Sequence, residues 1–517
     1  MNGDESGGSG RESDRTSFVE YGIEDRPSLS ASVVLGLQHY LTMVGANVAV
    51  PLILAGALGM PTGETARFVG TFFVVSGVAT LAQTTFGNRY PIVQGAPFSM
   101  LAPAIAIVTV VGATAGEPLW QTRLQALQGA IIVAALVEIA IGYFGIVGKL
   151  RQYLSPVTIA PTIVLIGLAL FDVPQVTAAT NDWWLLGLTL LLVLAFSQYL
   201  DRRHWAFRLF PVILGVSIAW VVAAALSVAG VYGSGAPGYV ALGTVADAPA
   251  VVPIYPLQWG MPTFQLSFAI GMFAGVLASI VESFGDYHAV ARLVGSGAPS
   301  EERINHGIGM EGIMNVFSGI MGTGGSTSYS ENIGAIGLTG VASRFVVQIG
   351  AVMMLVVGYV GYVGQLVATI PDPIVGGLFV VMFGQIVAVG LSNLTYVDLN
   401  SSRNVFIVGF ALFVGLAIPE YMGAVGSAEA FQAGMATVPL LGPALGTSVF
   451  AGTMYVVGTT GMAVGGLAAL VLDNTIPGTD EERGLTRWES LTESSDAFQP
   501  FWREWFGGDE RTPDAER

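Results

Sequence analysis

Residues Gly322 to Arg344 read GTGGSTSYSENIGAIGLTGVASR, a run of glycines, hydroxyls and one carboxylate set between two long apolar stretches. At bilayer depth every backbone polar group needs a partner, so irregular chain survives there only where protein or a water-filled cavity surrounds it. The stretch therefore predicts a cavity. Ser326, Thr327, Ser328 and Tyr329 favour extended backbone, and Glu331 with Asn332 then opens a short helix whose N-terminal amides point at a ligand. The alternative is a polar loop outside the membrane, against which the run is short and lacks Asp, Lys and Pro.

The composition agrees with membrane depth: 53% of the residues are hydrophobic and 11% charged, against about 25% charged in an average soluble protein. Hydropathy allows about fourteen spans of roughly 20 residues between residues 32 and 472. The chain thus reads as an all-α polytopic membrane protein. No cleavable leader is expected in the polar first 30 residues, so the first span must direct insertion. Cysteine is absent, which excludes disulfides and thiolate metal sites. The net charge of −16 gathers at the ends, with seven acidic residues before Leu29 and twelve from Asp473 onward. We expect solvated tails at 1–30 and 473–517 and no nucleic-acid partner.

Basic residues fall in alternate loops: Arg89; Lys149 and Arg151; Arg202, Arg203 and Arg208; Arg292 and Arg303; Arg344; Arg403. The opposite loops hold only Arg67 and Arg123. The positive-inside rule then places both termini in the cytoplasm, which needs an even number of spans. A Gly/Pro/Ala-rich connection at 231–263 separates a first repeat at 31–230 from a second at 264–472. Seven spans in each half invert one half relative to the other, and inverted repeats hold substrate near the midplane between interrupted helices in matching positions. The third and tenth spans fit. The third opens with Tyr90-Pro91-Ile92-Val93-Gln94-Gly95-Ala96-Pro97-Phe98-Ser99-Met100 and a helix-starting Pro103. Two short strands, one in each broken span, are expected to pair antiparallel and satisfy each other's backbone.

With these residues in view, the chain resembles the nucleobase–ascorbate transporter family. The resemblance rests on Glu331-Asn332-Ile333-Gly334 with Thr339, on Gln38-His39 in the first span, and on Glu282, Ser283, Gly285, Asp286 and Tyr287 in the eighth. It implies fourteen segments, with a core of spans 1–4 and 8–11, a gate of spans 5–7 and 12–14, a homodimer, and alternating access by movement of one domain against the other. It implies a substrate held between the core's half-helices and the gate.

Uracil and xanthine present edges in which ring N–H donors alternate with carbonyl acceptors. Carboxylates suit the donors and amides the acceptors. Glu282 and Glu331 are the candidate substrate carboxylates, with Ser99, Asn332, Phe98 and Tyr329 completing the pocket; Phe98 serves equally well as ordinary packing. Buried carboxylates in membranes are functional by default, and burial disfavours their charged form. Asp286 lies one helical turn beyond Glu282, and His39, beside Gln38, is placed to bridge to such groups. Asp286 and Glu311, with Gln38 and His39, form the candidate coupling and gating set, while Glu138 matches no motif and reads as functional or structural alike. His204 sits with Arg202–Arg208 in a loop whose positive charge topology explains, His288 and His306 flank the eighth and ninth spans and read as structural before functional, and the four histidines show no metal-ligand spacing. No metal or cofactor is expected. The coupling ion is expected to be a proton, with sodium open.

Across the family Glu at the first signature position marks uracil carriers, whereas Leu338 to Arg344 and Asp286 look more like purine carriers. Uracil and xanthine both stand, and the lack of Pro at 331 disfavours ascorbate. The expected function is cation symport of a nucleobase across the cytoplasmic membrane. An anion exchanger or channel of the same inverted-repeat fold is the alternative, and no enzyme motif is present.

Overall fold

The structure, a computed structural model, describes residues 19–113, 116–147, 153–169, 171, 174–178, 182–485 and 498–501. Lys149 and Arg151 fall outside them. The principal helices are α1 (Leu29–Leu58), α2 (Thr62–Thr85), α3 (Leu101–Val110), α4 (Leu119–Tyr143), α5 (Pro156–Leu168), α6 (Trp183–Leu194) and α7 (Pro211–Val228). After a long connection follow α8 (Leu266–Val294), α9 (Glu301–Met321), α10 (Ser330–Thr339), α11 (Arg344–Tyr359), α12 (Gly361–Ala368), α13 (Asp372–Asn393), α14 (Ser402–Val425), α15 (Ser448–Gly458) and α16 (Gly461–Thr475). Among the described residues seven of these are long and apolar enough to cross a bilayer. The protein is a multi-pass membrane protein built almost wholly of helix.

The helices sort into two groups. In one, α9 lies along α4, α11 along α2 and α1, and α12 along α2; in the other, α5, α13, α14 and α16 pack together with α6 and α7 beside them. The first group is drawn close by glycines facing each other across helix pairs. A Cβ on Gly142 of α4 would stand 2.3 Å from the Gly309 amide nitrogen of α9, and one on Gly350 of α11 would stand 2.7 Å from the Gly36 carbonyl of α1. Backbones this near leave no room for any larger residue, and their contact area replaces the hydrophobic drive that lipid cannot supply.

Two spans are interrupted. The strands β1 (Gln94–Gly95) and β2 (Thr327–Ser328) pair antiparallel in the interior, Gln94 opposite Ser328 and Gly95 opposite Thr327. β1 leads through Phe98 into α3, and β2 leads directly into α10. A Cβ on Gly95 would fall 2.5 Å from the Tyr329 ring, so only glycine allows the strands to meet.

Several boundaries differ from the expectations drawn from sequence. The N-terminal tail expected at 1–30 is folded from residue 19: Tyr21 bridges Val341, Ala342 donates its amide to the Tyr21 carbonyl, and the Arg344 guanidinium meets Glu24. The C-terminal tail expected from 473 begins inside the body, because Asp473 is buried and holds Arg403 at 3.0 Å and Arg483 at 2.9 Å. Three charges so arranged satisfy one another, which hydropathy cannot see. Phe498 returns against Arg303, whose guanidinium carbon lies 4.7 Å from its ring centroid and 4.3 Å from that of Tyr90. The apolar run at 439–472 is bent, with α15 and α16 meeting at 97°. The connection at 231–263 is no free linker: Trp259 is 2% exposed between Phe68, Trp120 and the Arg67 guanidinium and caps the end where Arg67 and Arg123 lie.

We predict that Gly142→Ala forces α4 from α9 at a cost of about 1–3 kcal/mol. Thermal unfolding in detergent, followed by tryptophan fluorescence, should show a lowered midpoint, and an unchanged midpoint would mean that the contact is looser than described.

Candidate functional site

Extended chain in the interior leaves amides and carbonyls that its own strand pair cannot satisfy. Side chains from the surrounding helices take them. Asn47 on α1 accepts the Ala96 amide at 3.1 Å; Thr80 on α2 accepts the Gln94 amide at 2.9 Å; Asn315 on α9 accepts the Ser326 amide at 2.6 Å; Ser318 accepts the Gly325 amide at 2.9 Å. Tyr329 closes the crossing, with its amide donated to the Val93 carbonyl at 3.1 Å and its hydroxyl to the Ala96 carbonyl at 2.7 Å. The stretch from Gly322 to Tyr329 is buried throughout, so it is not an exposed loop.

A cavity of about 800 Å³ lies between the two helix groups and runs from this crossing toward the arginine-rich end. Its wall on the broken-span side carries Glu282 and Asp286 of α8, Phe98, Tyr329, Ser330 and Ile333. The facing wall is Ile159, Ile163 and Ile166 of α5 with Gln385 and Ile386 of α13, and Asn393, Tyr396 and Arg292 stand toward the mouth. Phe98 is 7% exposed and meets Phe383 edge to face at 6.1 Å, so it borders the cavity and also packs across the two groups.

The other expected site residues sort by position. Ser99 is fully buried and does not line the cavity; its carbonyl faces α8 at Gly275. Asn332 also sits behind the wall. Its Oδ1 accepts the Val93 amide at 2.9 Å and its Nδ2 donates to His39 Nδ1 at 2.8 Å, so the first span is tied to both broken spans through one side chain. Among the described residues the bridge from His39 runs to Asn332. Gln38 is half-buried and lies away from the cavity. Glu331 begins α10, and its side chain lies outside the described residues.

Glu311 and Asp286 face each other across a cluster of hydroxyls that the sequence reading missed. Ser279 and Ser283 approach Glu311 at 2.6 Å each and Thr327 donates to it at 3.0 Å, while Ser328 and Ser330 donate to Asp286 at 2.6 Å each. The signal was available on α8, where Ser279, Ser283 and Asp286 recur at helical spacing on one face. Glu138 of α4 accepts from Asn315 at 2.9 Å, the same side chain that holds the Ser326 amide. His288 and His306 donate Nδ1 to carbonyls one turn back in their own helices, and His204 Nδ1 accepts the Ala206 amide. Among the described residues no group of His, Asp and Glu would hold a metal ion.

The model described as "Permease family" matches residues 30–423. Solute carrier family 23 member 2 of Mus musculus is 42% identical over 510 residues, covering 91% of this chain and 76% of the relative. Nucleobase-ascorbate transporter 1 of Arabidopsis thaliana is 34% identical over 491 residues, covering 91% of this chain and 92% of the relative. Among solved structures, the transmembrane domain of the cyanobacterial bicarbonate transporter BicA superposes with a TM-score of 0.54 at 17% identity, covering 79% of this chain and all of that one. SLC26A9 superposes at 0.53 and 14% identity, covering 75% and 63%. At such identities these two show the fold alone.

Asn332→Ala should leave the Val93 amide without a partner, a loss of about 1–3 kcal/mol for a buried donor. We predict a lowered melting midpoint together with reduced transport, measured on the same purified preparation. Full stability and full transport in that variant would remove Asn332 from the framework of the site.

Proposed function

The chain belongs to the nucleobase–ascorbate transporter family, and we propose that within it this protein is a secondary active carrier of a nucleobase, uracil or xanthine. It is a membrane transporter; the substrate, the coupling and the arrangement that follow are our reading. The observation that carries it is the cavity between the two helix groups, with Glu282 on the wall formed by α8 and the broken spans. A carboxylate there accepts from a ring N–H, the isoleucines of α5 cover the faces of a flat heterocycle, and Gln385 offers an amide to a carbonyl.

In this reading the chain forms fourteen segments in two inverted repeats. The group of α1–α4 and α8–α12 is the core that carries the substrate, and the group of α5–α7 and α13–α16 is the gate. Both termini lie on the cytoplasmic side, toward which the cavity points, so the structure corresponds to the inward-facing state. Protons couple the movement through Asp286 and Glu311, and two copies associate in the cytoplasmic membrane. The fold is shared with carriers named for bicarbonate and anions, but two cavity carboxylates, Glu282 and Asp286, would repel an anion. Anion exchange is therefore the weaker reading.

Glu282→Gln keeps the side-chain shape and removes the charge. We predict that nucleobase uptake into proteoliposomes falls more than about tenfold, the equivalent of losing a charge-assisted hydrogen bond of about 1.5–3 kcal/mol, with normal yield and melting. Wild-type uptake in the variant would take Glu282 out of the site. Substrate choice is tested by competition among uracil, xanthine, urate and ascorbate on the wild type and on Glu331→Gln. A shift of preference from uracil toward xanthine or urate is expected, and an unchanged order in an active variant would place selection elsewhere.

A further inference from the structure

The seam between α8, α9 and β2 contains more close oxygen contacts than it has hydroxyl hydrogens. Glu311 is fully buried, and its Oε2 lies 2.6 Å from Ser283 Oγ. Ser283 Oγ lies in turn 2.9 Å from Ser328 Oγ, and Ser328 Oγ lies 2.6 Å from Asp286 Oδ2. A serine brings one hydrogen. With both carboxyls ionised, Ser283 donates to Glu311 and Ser328 donates to Asp286. The two serine oxygens, 2.9 Å apart, then face each other with no hydrogen between them. One added proton removes the conflict: a carboxylic acid at Glu311 Oε2 donates to Ser283, Ser283 donates to Ser328, and Ser328 donates to Asp286. Beside this chain, Thr327 donates to Glu311 Oε1 and Ser330 to Asp286 Oδ1 in either state, and Ser279 brings one hydrogen to Glu311 Oε1 and Thr327 Oγ1, each at 2.6 Å.

We propose that Ser283 and Ser328 form a proton relay that joins Glu311 in the interior to Asp286 on the cavity wall. The inference rests on the proton-coupled reading given above and adds the path and its two hydroxyls. In the transfer from Asp286 to Glu311, the Asp286 Oδ2–H bond breaks as that proton passes to Ser328. The Ser328 hydrogen passes to Ser283, and the Ser283 hydrogen passes to Glu311 Oε2. Three O–H bonds break, three form, and the negative charge moves from Glu311 to Asp286 with no other reactant. Among the described residues, the remaining titratable groups around Glu311 are Tyr287 on α8 and Glu138 on α4, while His39 on α1 is engaged by Asn332. Asp286 lines the cavity and Glu311 does not, so the relay is the route by which a proton from solvent reaches the buried carboxyl.

The test uses the full chain in proteoliposomes that contain a trapped pH-sensitive dye, given a mixture of uracil, xanthine, urate and ascorbate. Proton entry is read from the dye, and substrate exchange at equal pH is measured in parallel. Ser283→Ala and Ser328→Ala should lose substrate-driven proton entry by at least about a hundredfold, the lower end of the range for removing a positioned proton-transfer group. Exchange should stay within about twofold, and Ser283→Thr, which keeps the hydroxyl, should restore proton entry. Proton entry at the wild-type rate in both alanine variants overturns the relay alone. A wild type that exchanges substrate but moves no proton overturns the coupling reading and the relay with it. Loss of exchange in the alanine and threonine variants alike would assign these serines to packing and overturn the relay.

Discussion

A peptide group buried in the interior of a membrane protein has no water to bond to, and this protein buries two stretches of non-helical backbone in its interior. Everything around the cavity follows from how those groups are satisfied. The strands Gln94–Gly95 and Thr327–Ser328 pair with each other. Asn47, Thr80, Asn315, Ser318 and Asn332 then accept the amides left over. These side chains stand on four helices, Asn315 and Ser318 sharing α9, so the crossing also locks α1, α2, α9 and α10 into one body. On the proposed reading such a site is stiff where it would hold substrate, and the motion of transport would fall at the apolar boundary with the second helix group.

That division of labour assigns chemistry to one wall and shape to the other. The broken-span wall bears the carboxylates and hydroxyls, and the α5–α13 wall presents isoleucines with Gln385 as a polar group at the same depth. Phe98 touches Phe383 across the boundary. On the proposed reading, a mostly apolar wall would slide past a ligand without breaking strong hydrogen bonds, and the polar wall would travel with it. The glycine seams of α4 with α9 and α1 with α11 keep the moving body compact, since backbones in contact leave little side-chain freedom to lose.

Much of this was legible in the chain because membrane depth makes polar residues conspicuous. The stretch from Gly322 to Arg344 declared a cavity, and Glu282, Asp286 and Glu311 stood out within apolar runs. What was not legible depended on long-range partners. Asn47, Thr80 and Asn315 are uncharged polar residues in largely apolar helices, and nothing in their spacing tells that each accepts an amide from the extended chain of a broken span. Ser99 and Asn332 were placed in the pocket by their proximity to the helix starts, yet both face inward behind it. The tails misled for a different reason. Their acidic composition argues for solvent, but Glu24 is met by Arg344 and Asp473 by Arg403 from another loop and by Arg483 of its own segment.

The central claim is that substrate lies in the cavity beside the start of α10. The absence of cysteine allows one reporter thiol to be placed without background. Ile333→Cys puts it on the cavity wall, and its alkylation by a water-soluble maleimide can be timed with and without candidate substrates. The account predicts that a transported nucleobase slows alkylation in proportion to its occupancy, with a half-effect at the concentration that half-saturates uptake. Alkylation at the same rate with a saturating, transported substrate present would contradict it.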